Sequence, residues 1–389
     1  MGKSWRISKK GVAIIVTKAD NMYRQAATRN GAIDLLKFLF SWIVAFYHFY
    51  SNRKYFPHGN IGVEFFVLVS GVYFYMSWEK TKRRRPGEDL AFYPYEYAKK
   101  RFLRFFPSTT TAFVGAFIVI GLMIQGIHKK SLFSFLGRCC DLIWEILLIG
   151  GRTGMMEHDL LNGPVWTVCA MLVAEFFILC ILVHWEKLFY TLICPVSVLV
   201  FYGCWRHIAG HNSSWVGFTT FGMLRVFAIS CLAYYCYCGA KWLGRTRFTR
   251  SGVLLLSGCE TACFLVVLLI VMVPENISAR FVGTLFLCVG CAITMSGRSL
   301  SARIFRDTWL SRWLGELSFA VYLTHYTVLK WFRFQIPDLN EMYRYKFVFL
   351  FAVAAVSIVF LPLVKVVSKG ASSFWSWARP KLVEPEVQE

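Results

Sequence analysis

Long apolar runs separated by short charged loops dominate the chain, at residues 33–50, 61–78, 108–127, 165–184, 188–205, 221–240, 251–273, 281–296, 314–333 and 347–367. A bilayer core about 30 Å thick needs about 20 apolar residues per helix, so runs of this kind predict an all-α polytopic bundle of about ten transmembrane helices. A weaker apolar segment at 141–150 reads as interfacial or re-entrant. Residues 1–30 are basic, with one apolar patch at 11–16 that is too short for a signal-peptide core. They read as a cytoplasmic tail, in which Met22 is a candidate alternative start because the spanning pattern begins only near Ile33. Residues 31–369 form the membrane domain and 370–389 a C-terminal cytoplasmic tail.

Loop charge sets the expected orientation. Lys80, Lys82, Arg83, Arg84, Arg85, Lys99, Lys100, Arg101 and Arg104 crowd the loop after the second run, which places that loop in the cytoplasm. Alternation puts Lys241, Arg245, Arg247, Arg250, Arg298, Arg303, Arg306 and Arg312 on the same side, with both termini. The segments PENISA and FQIPDLNEMY then fall outside.

Composition agrees with a membrane protein: 57% of the residues are hydrophobic and only 17% charged, unlike the usual soluble mixture. The net charge of +21 would point to nucleic acid in a soluble protein. Here the cations gather in loops between membrane runs, where they meet anionic membrane lipid or a phosphate-bearing ligand, and no nucleic-acid partner is expected. Most of the 13 cysteines lie inside apolar runs and behave as small hydrophobes. Cys288 and Cys291 make a CxxC in mid-run without a second pair, so no metal site is predicted. Cys139 and Cys140, in an expected outer loop, are left unassigned.

The first run, IDLLKFLFSWIVAFYHFY, brings Lys37 and His48 to nearly the same helix face, about 16 Å apart along the axis. Lys37 is then near the cytoplasmic mouth and His48 near the outer one. Taken singly, such residues also fit a snorkelling lysine and an interfacial histidine. The short loop SNRKYFPHGN returns the chain to Glu64 at a depth similar to that of His48. A carboxylate beside an imidazole fixes its tautomer and stabilises the imidazolium, as a general base acting on a hydroxyl requires; a hydrogen bond closing the hairpin is the structural alternative. His58 in the same loop reads as solvated.

In KKRFLRFFP, Arg101 and Arg104 share a helix face just before the third run, and two guanidiniums so placed suit phosphate oxygens. In WLGELSFAVYLTHYTV, Ser318, Tyr322 and His325 form one polar stripe on an apolar helix, expected to face the bundle interior as a substrate or pore lining, or as packing. Glu175 and Glu260 fall inside runs, where each must be paired or protonated. Asn162, Gly163, Pro164 and Trp166 begin the fourth run after a long outer segment, and Trp166 is placed either to stack on a sugar or to sit in the aromatic belt.

In chain order, IDLLKFLFSWIVAFYH, GNIGVEFFVLVSGVYF, RFLRFFP, GPVWTVCAML and LGELSFAVYLTHYTV together resemble the acyltransferase 3 family of membrane proteins, over nearly the whole chain. The resemblance implies acetyl-CoA or another acyl-CoA as donor on the cytoplasmic side. It also implies a hydroxyl of a surface or lipid-linked carbohydrate as acceptor, in the inner (plasma) membrane of a bacterium. His48 matches the family's essential first-helix histidine, and Arg101 and Arg104 match its arginine pair. The chain departs from the pattern at Lys37, where many members carry Arg, at Met171, where an acidic residue is frequent, and in having only a tail after residue 370. On this reading donor phosphates sit near Lys37, Arg101 and Arg104, and His48, oriented by Glu64, takes the acceptor's proton. A transporter or flippase for a lipid-linked sugar is the alternative from another class, and a structural scaffold a third.

Overall fold

The computed structural model describes residues 29–50, 55–119, 147–148, 162–203, 215–274 and 277–382, and it is all-helical. The longer helices are α1 (Gly31–Phe49), α2 (Ile61–Arg84), α3 (Tyr93–Ala116) and α4 (Val165–Leu188). After α4 the chain continues through a π-helical turn, the short α5 (Cys194–Ser197) and a second π-helical turn to Gly203. The helices α6 (Trp215–Arg245), α7 (Arg250–Met272) and α8 (Ile277–Met295) follow. Then come the short α9 (Leu300–Ile304), α10 (Trp309–Gln335), the short α11 (Leu339–Arg344) and α12 (Lys346–Leu382). Helical backbone thus runs on past residue 369 into the expected tail.

Among the described residues, eight helices are long and apolar enough to cross a membrane, fewer than the ten expected, and the protein is a multi-pass membrane protein on that count. The difference arises at two places. Residues 165–184 and 188–205, expected as two helices, form one stretch from Val165 to Val200. Its backbone breaks at Trp185 (φ −135°, ψ 48°). Beyond the break the Tyr190 ring stacks on Tyr234 and the Cys194 thiol donates to the Cys231 carbonyl, so the second arm runs antiparallel to α6. The other place is 314–333, inside α10. Its polar stripe, with Glu316 and Lys330, makes it too polar to rank with the apolar spans. Met22, Cys139 and Cys140 lie outside the described residues, as does nearly all of 141–150.

The helix starts are written locally. The Asn30 side chain accepts from the backbone N–H groups of Ala32 and Ile33, and Thr308 forms a reciprocal capping box with Ser311 at the start of α10. Close packing fixes the rest. A Cβ on Gly62 would stand 2.8 Å from the Phe40 carbonyl, so α1 and α2 meet almost backbone to backbone, as small residues allow between membrane helices. The polar-striped α10 lies along α1 and also packs on α12 and α3. Outer helices look different: α7 and α12 leave Leu255 72% and Phe351 77% exposed, as side chains in contact with lipid are.

Candidate active site

One end of the bundle gathers the basic loops and will be called the basic end; the turns joining α1 to α2 and α7 to α8 mark the opposite end. At the basic end Asp34, in the first turn of α1, is buried where the helix dipole favours a negative charge. Its carboxylate accepts from Arg29 Nε (2.5 Å) and Lys37 Nζ (3.1 Å). Arg29 also reaches across to the Arg312 carbonyl (3.1 Å), tying the start of α1 to α10. Gly315 makes this approach possible, since a Cβ there would stand 2.7 Å from both Asp34 Oδ1 and Arg29 Nη2.

Lys37 Nζ also sits 5.5 Å from the Tyr73 ring centre on α2, and the Arg104 guanidinium, exposed on α3, acts on both electrostatically. Arg29 and Lys37 on the carboxylate of Asp34, with Arg104 nearby, make a cluster with an excess of positive charge. Lys37 keeps 24% of its side chain accessible and Tyr73 37% of its surface, so the cluster is open on one side. Such a cluster attracts an anion with several oxygens.

Arg101, one turn before Arg104, is differently employed. Its Nη2 donates to Ser70 Oγ (2.6 Å) and Glu175 Oε1 (2.9 Å). Ser70 and the Tyr97 hydroxyl donate to the same carboxylate at 2.8 and 3.1 Å. The guanidinium lies 5.0 Å from the Phe105 ring centre and 5.8 Å from that of Tyr97. This buried knot joins α2, α3 and α4. Glu260, the other intramembrane carboxylate noted in the sequence, accepts from Thr294 and Ser301.

At the opposite end the His48 ring, in the last turn of α1, stacks on His325 of α10, centroids 5.3 Å apart at 26°. Tyr326 meets it edge-on at 6.0 Å, and Arg333 Nη2 donates to the His48 carbonyl at 3.0 Å. The start of α4 closes over this stretch of α10. Asn162 donates to the Leu323 carbonyl, and the Tyr322 hydroxyl donates to the Pro164 carbonyl (3.2 Å) and lies 3.0 Å from Thr167 Oγ1. Trp166 is half-buried in the same first turn of α4. Ser318 turns its hydroxyl onto its own helix, at the Gly315 carbonyl (2.7 Å).

Glu64 is buried in the first turn of α2, where its carboxylate accepts from Arg280 Nε (2.7 Å), Arg225 and the Thr284 hydroxyl. Sequence neighbourhood pointed from Glu64 to His48; these partners come from α6 and α8, far along the chain. His58 corrects an expectation. It is buried rather than solvated, its backbone N–H on the Val271 carbonyl and its ring 3.3 Å from the Pro274 carbonyl, because the loop is drawn under the end of α7.

Sequence reasoning missed Arg29 and Asp34 at one end and Arg225, Arg280 and Arg333 at the other. The signal existed for one of them: Arg225 stands almost alone in an apolar stretch, and a cation there demands a partner.

Lys37 of the cationic cluster and His48 of the histidine pair lie on one continuous helix, α1, eleven residues apart, about 16 Å along the axis. A family model described as an acyltransferase domain matches residues 30–366, which takes in every residue of both ends except Arg29. Comparison with curated proteins and with solved structures gives no match. The chain therefore belongs to the acyltransferase 3 family, and it is a membrane-bound acyltransferase.

Proposed function

We propose that the protein moves an acyl group, acetyl by default, from acyl-CoA bound at the basic end to a hydroxyl of a surface or lipid-linked carbohydrate at the opposite end, across a bacterial inner membrane. The observation that carries this reading is the placement of Lys37, part of a cationic cluster, and of His48 on one continuous helix, separated by about the reach of an extended pantetheine arm. The basic end is then cytoplasmic, as the loop charges require.

In the reaction, Lys37, Arg104 and Arg29 hold the donor's phosphates. Arg101 contributes through Glu175, which fixes the rotation of α3 and so the aim of Arg104 one turn later. His48 takes the proton of the acceptor hydroxyl as that oxygen attacks the thioester carbonyl. The C–O bond forms, the C–S bond breaks, and the proton passes to the departing sulfur as the CoA thiol. Glu64, between Arg225 and Arg280, offsets part of the positive charge at the acceptor end. Trp166 and Tyr322 border the acceptor.

The test uses the purified protein in lipid nanodiscs with acetyl-CoA, following thiol release. It is joined to mass spectrometry of surface glycans from cells carrying the wild-type gene, the His48→Ala form or neither. Acceptor-dependent thiol release and a wild-type-only mass gain of one acetyl group are expected. An intact thioester beside altered glycan export would favour the transporter reading. Full activity in a folded His48→Ala protein would remove the mechanism.

A further inference from the structure

His325 has a property that the proton path above leaves unused. Its Nδ1 lies 3.1 Å from the carbonyl of Val321, one turn earlier on α10. A carbonyl only accepts, so Nδ1 carries the ring's hydrogen and Nε2 is a bare lone pair. That Nε2 is buried and has no hydrogen-bond partner among the described residues, in a residue with no exposed surface. Leaving a buried acceptor unpaired carries a desolvation penalty. A ring needed only to fill the space between α1 and α10 would not carry that penalty; phenylalanine fills it without one.

The His325 dipole therefore has its positive end at the Val321 carbonyl and its negative end at Nε2, and the ring that lies against it is His48. Two rings stacked at 26° do not share an in-plane hydrogen bond, so the action on His48 is through the π face and the dipole. Among the described residues, the polar groups around the pair include Tyr47 on α1 and Tyr322, Tyr326 and Arg333 on α10. Elsewhere a carboxylate usually supports a catalytic imidazole. At this end the carboxylate of Glu64 already has two guanidiniums and a hydroxyl on it.

We infer that His325 is the positioning residue of His48: it holds the plane of that ring and, as a neutral dipole, stabilises the imidazolium formed when His48 takes the acceptor's proton. This rests on the proposed acyl transfer. His325 neither gains nor loses a proton in the step; the hydroxyl proton passes to His48 and then to the CoA sulfur. Stabilisation that appears only as charge develops lowers the barrier without tightening donor binding.

The experiment compares wild type, His325→Phe, His325→Asn and His48→Ala, full length in nanodiscs. Acetyl-CoA is the donor, and glycan purified from cells lacking the gene is the acceptor. His325→Phe keeps the stack and removes the lone pair, so kcat falls about tenfold to a hundredfold with KM for acetyl-CoA unchanged. His325→Asn restores an acceptor atom and recovers a large part of kcat. A folded His325→Phe protein with wild-type kcat overturns the inference. Should that variant not fold, the native protein decides: 15N-histidine spectra must show His325 protonated at Nδ1 and bare at Nε2, and a proton on Nε2 overturns the inference as surely. If His48→Ala turns over like wild type, the acyl-transfer reading itself fails; if His48→Ala is inactive and His325→Phe normal, only the role of His325 does.

Discussion

The two ends of α1 hold comparable charge in different ways. At the basic end Arg29 and Lys37 share the carboxylate of Asp34, with the exposed Arg104 close by on α3. At the opposite end Arg225 and Arg280 lock onto the buried carboxylate of Glu64, and among the described residues Tyr47, His325 and Tyr326 pack on the His48 ring while Arg333 donates to its carbonyl. A cluster with an exposed cation attracts a charged ligand from water. Cations locked onto a buried carboxylate leave a developing charge to be stabilised by what is fixed in place. The difference suits a reaction whose donor brings phosphates and whose acceptor brings hydroxyls.

The sharpest way to break this comparison is to separate chemistry from binding. His48→Ala should lower kcat by about 10²–10⁴, the usual contribution of a general base, with both acetyl-CoA and acetyl-pantetheine as donors. KM for either donor should hardly change. Equal loss of KM and kcat would mean that His48 is part of the binding surface instead.

Next in size is the knot at Arg101. Removing one partner of a buried ion pair leaves the other charge uncompensated, so Glu175→Ala or Arg101→Ala should destabilise the protein by about 3–5 kcal/mol. Their effects should be strongly non-additive in a double-mutant cycle read by thermal unfolding in detergent. Arg101→Ala that leaves stability untouched but raises KM for acetyl-CoA would return this arginine to the donor site directly.

Charge in the cationic cluster comes third. Lys37→Ala or Arg104→Ala should raise KM for acetyl-CoA about tenfold, the loss of one charge-assisted contact, and leave acetyl-pantetheine, which lacks the nucleotide phosphates, unaffected. The same rise with both donors would place these cations elsewhere in the mechanism.

What the sequence made legible follows from how far each signal travels along the chain. Run length gave most of the helices, and even the break near Trp185 is foreshadowed by HWEK, a polar interruption between apolar runs. The polar stripe of α10 marked that helix for the interior although it is too polar to rank among the apolar spans. Pairings were another matter. Asp34 with Lys37 is a one-turn contact that spacing contains, whereas Glu64 with Arg280 spans 216 positions and depends on how α2 settles against α8. The approach of His325 to His48 depends likewise on α10 lying along α1, which no local pattern encodes. Reasoning from a hairpin reaches residues near in sequence; partners such as Arg225, Arg280 and His325 come from tertiary packing.

The smallest effect is expected with the opposite sign, which makes it a useful check on the electrostatic reading of the basic end. Asp307, in the turn before α10, accepts from Arg312 at 2.7 and 2.8 Å, and this hydrogen-bonded guanidinium holds its carboxyl below the usual aspartate range. Asp307→Asn removes a negative charge close enough to feel Arg29. It should therefore lower KM for acetyl-CoA, by less than about twofold because the pair is exposed and screened. The gain should shrink as salt is added. Because the folded-state value is depressed, the stability this pair lends is present above the unfolded aspartate range and is lost as pH falls through the folded value. Acid should thus reproduce the effect of the substitution only below the ordinary aspartate range, and the wild type and Asp307→Asn should converge there. A rise in KM on removing this negative charge would mean that the cationic cluster is not where the donor's phosphates go.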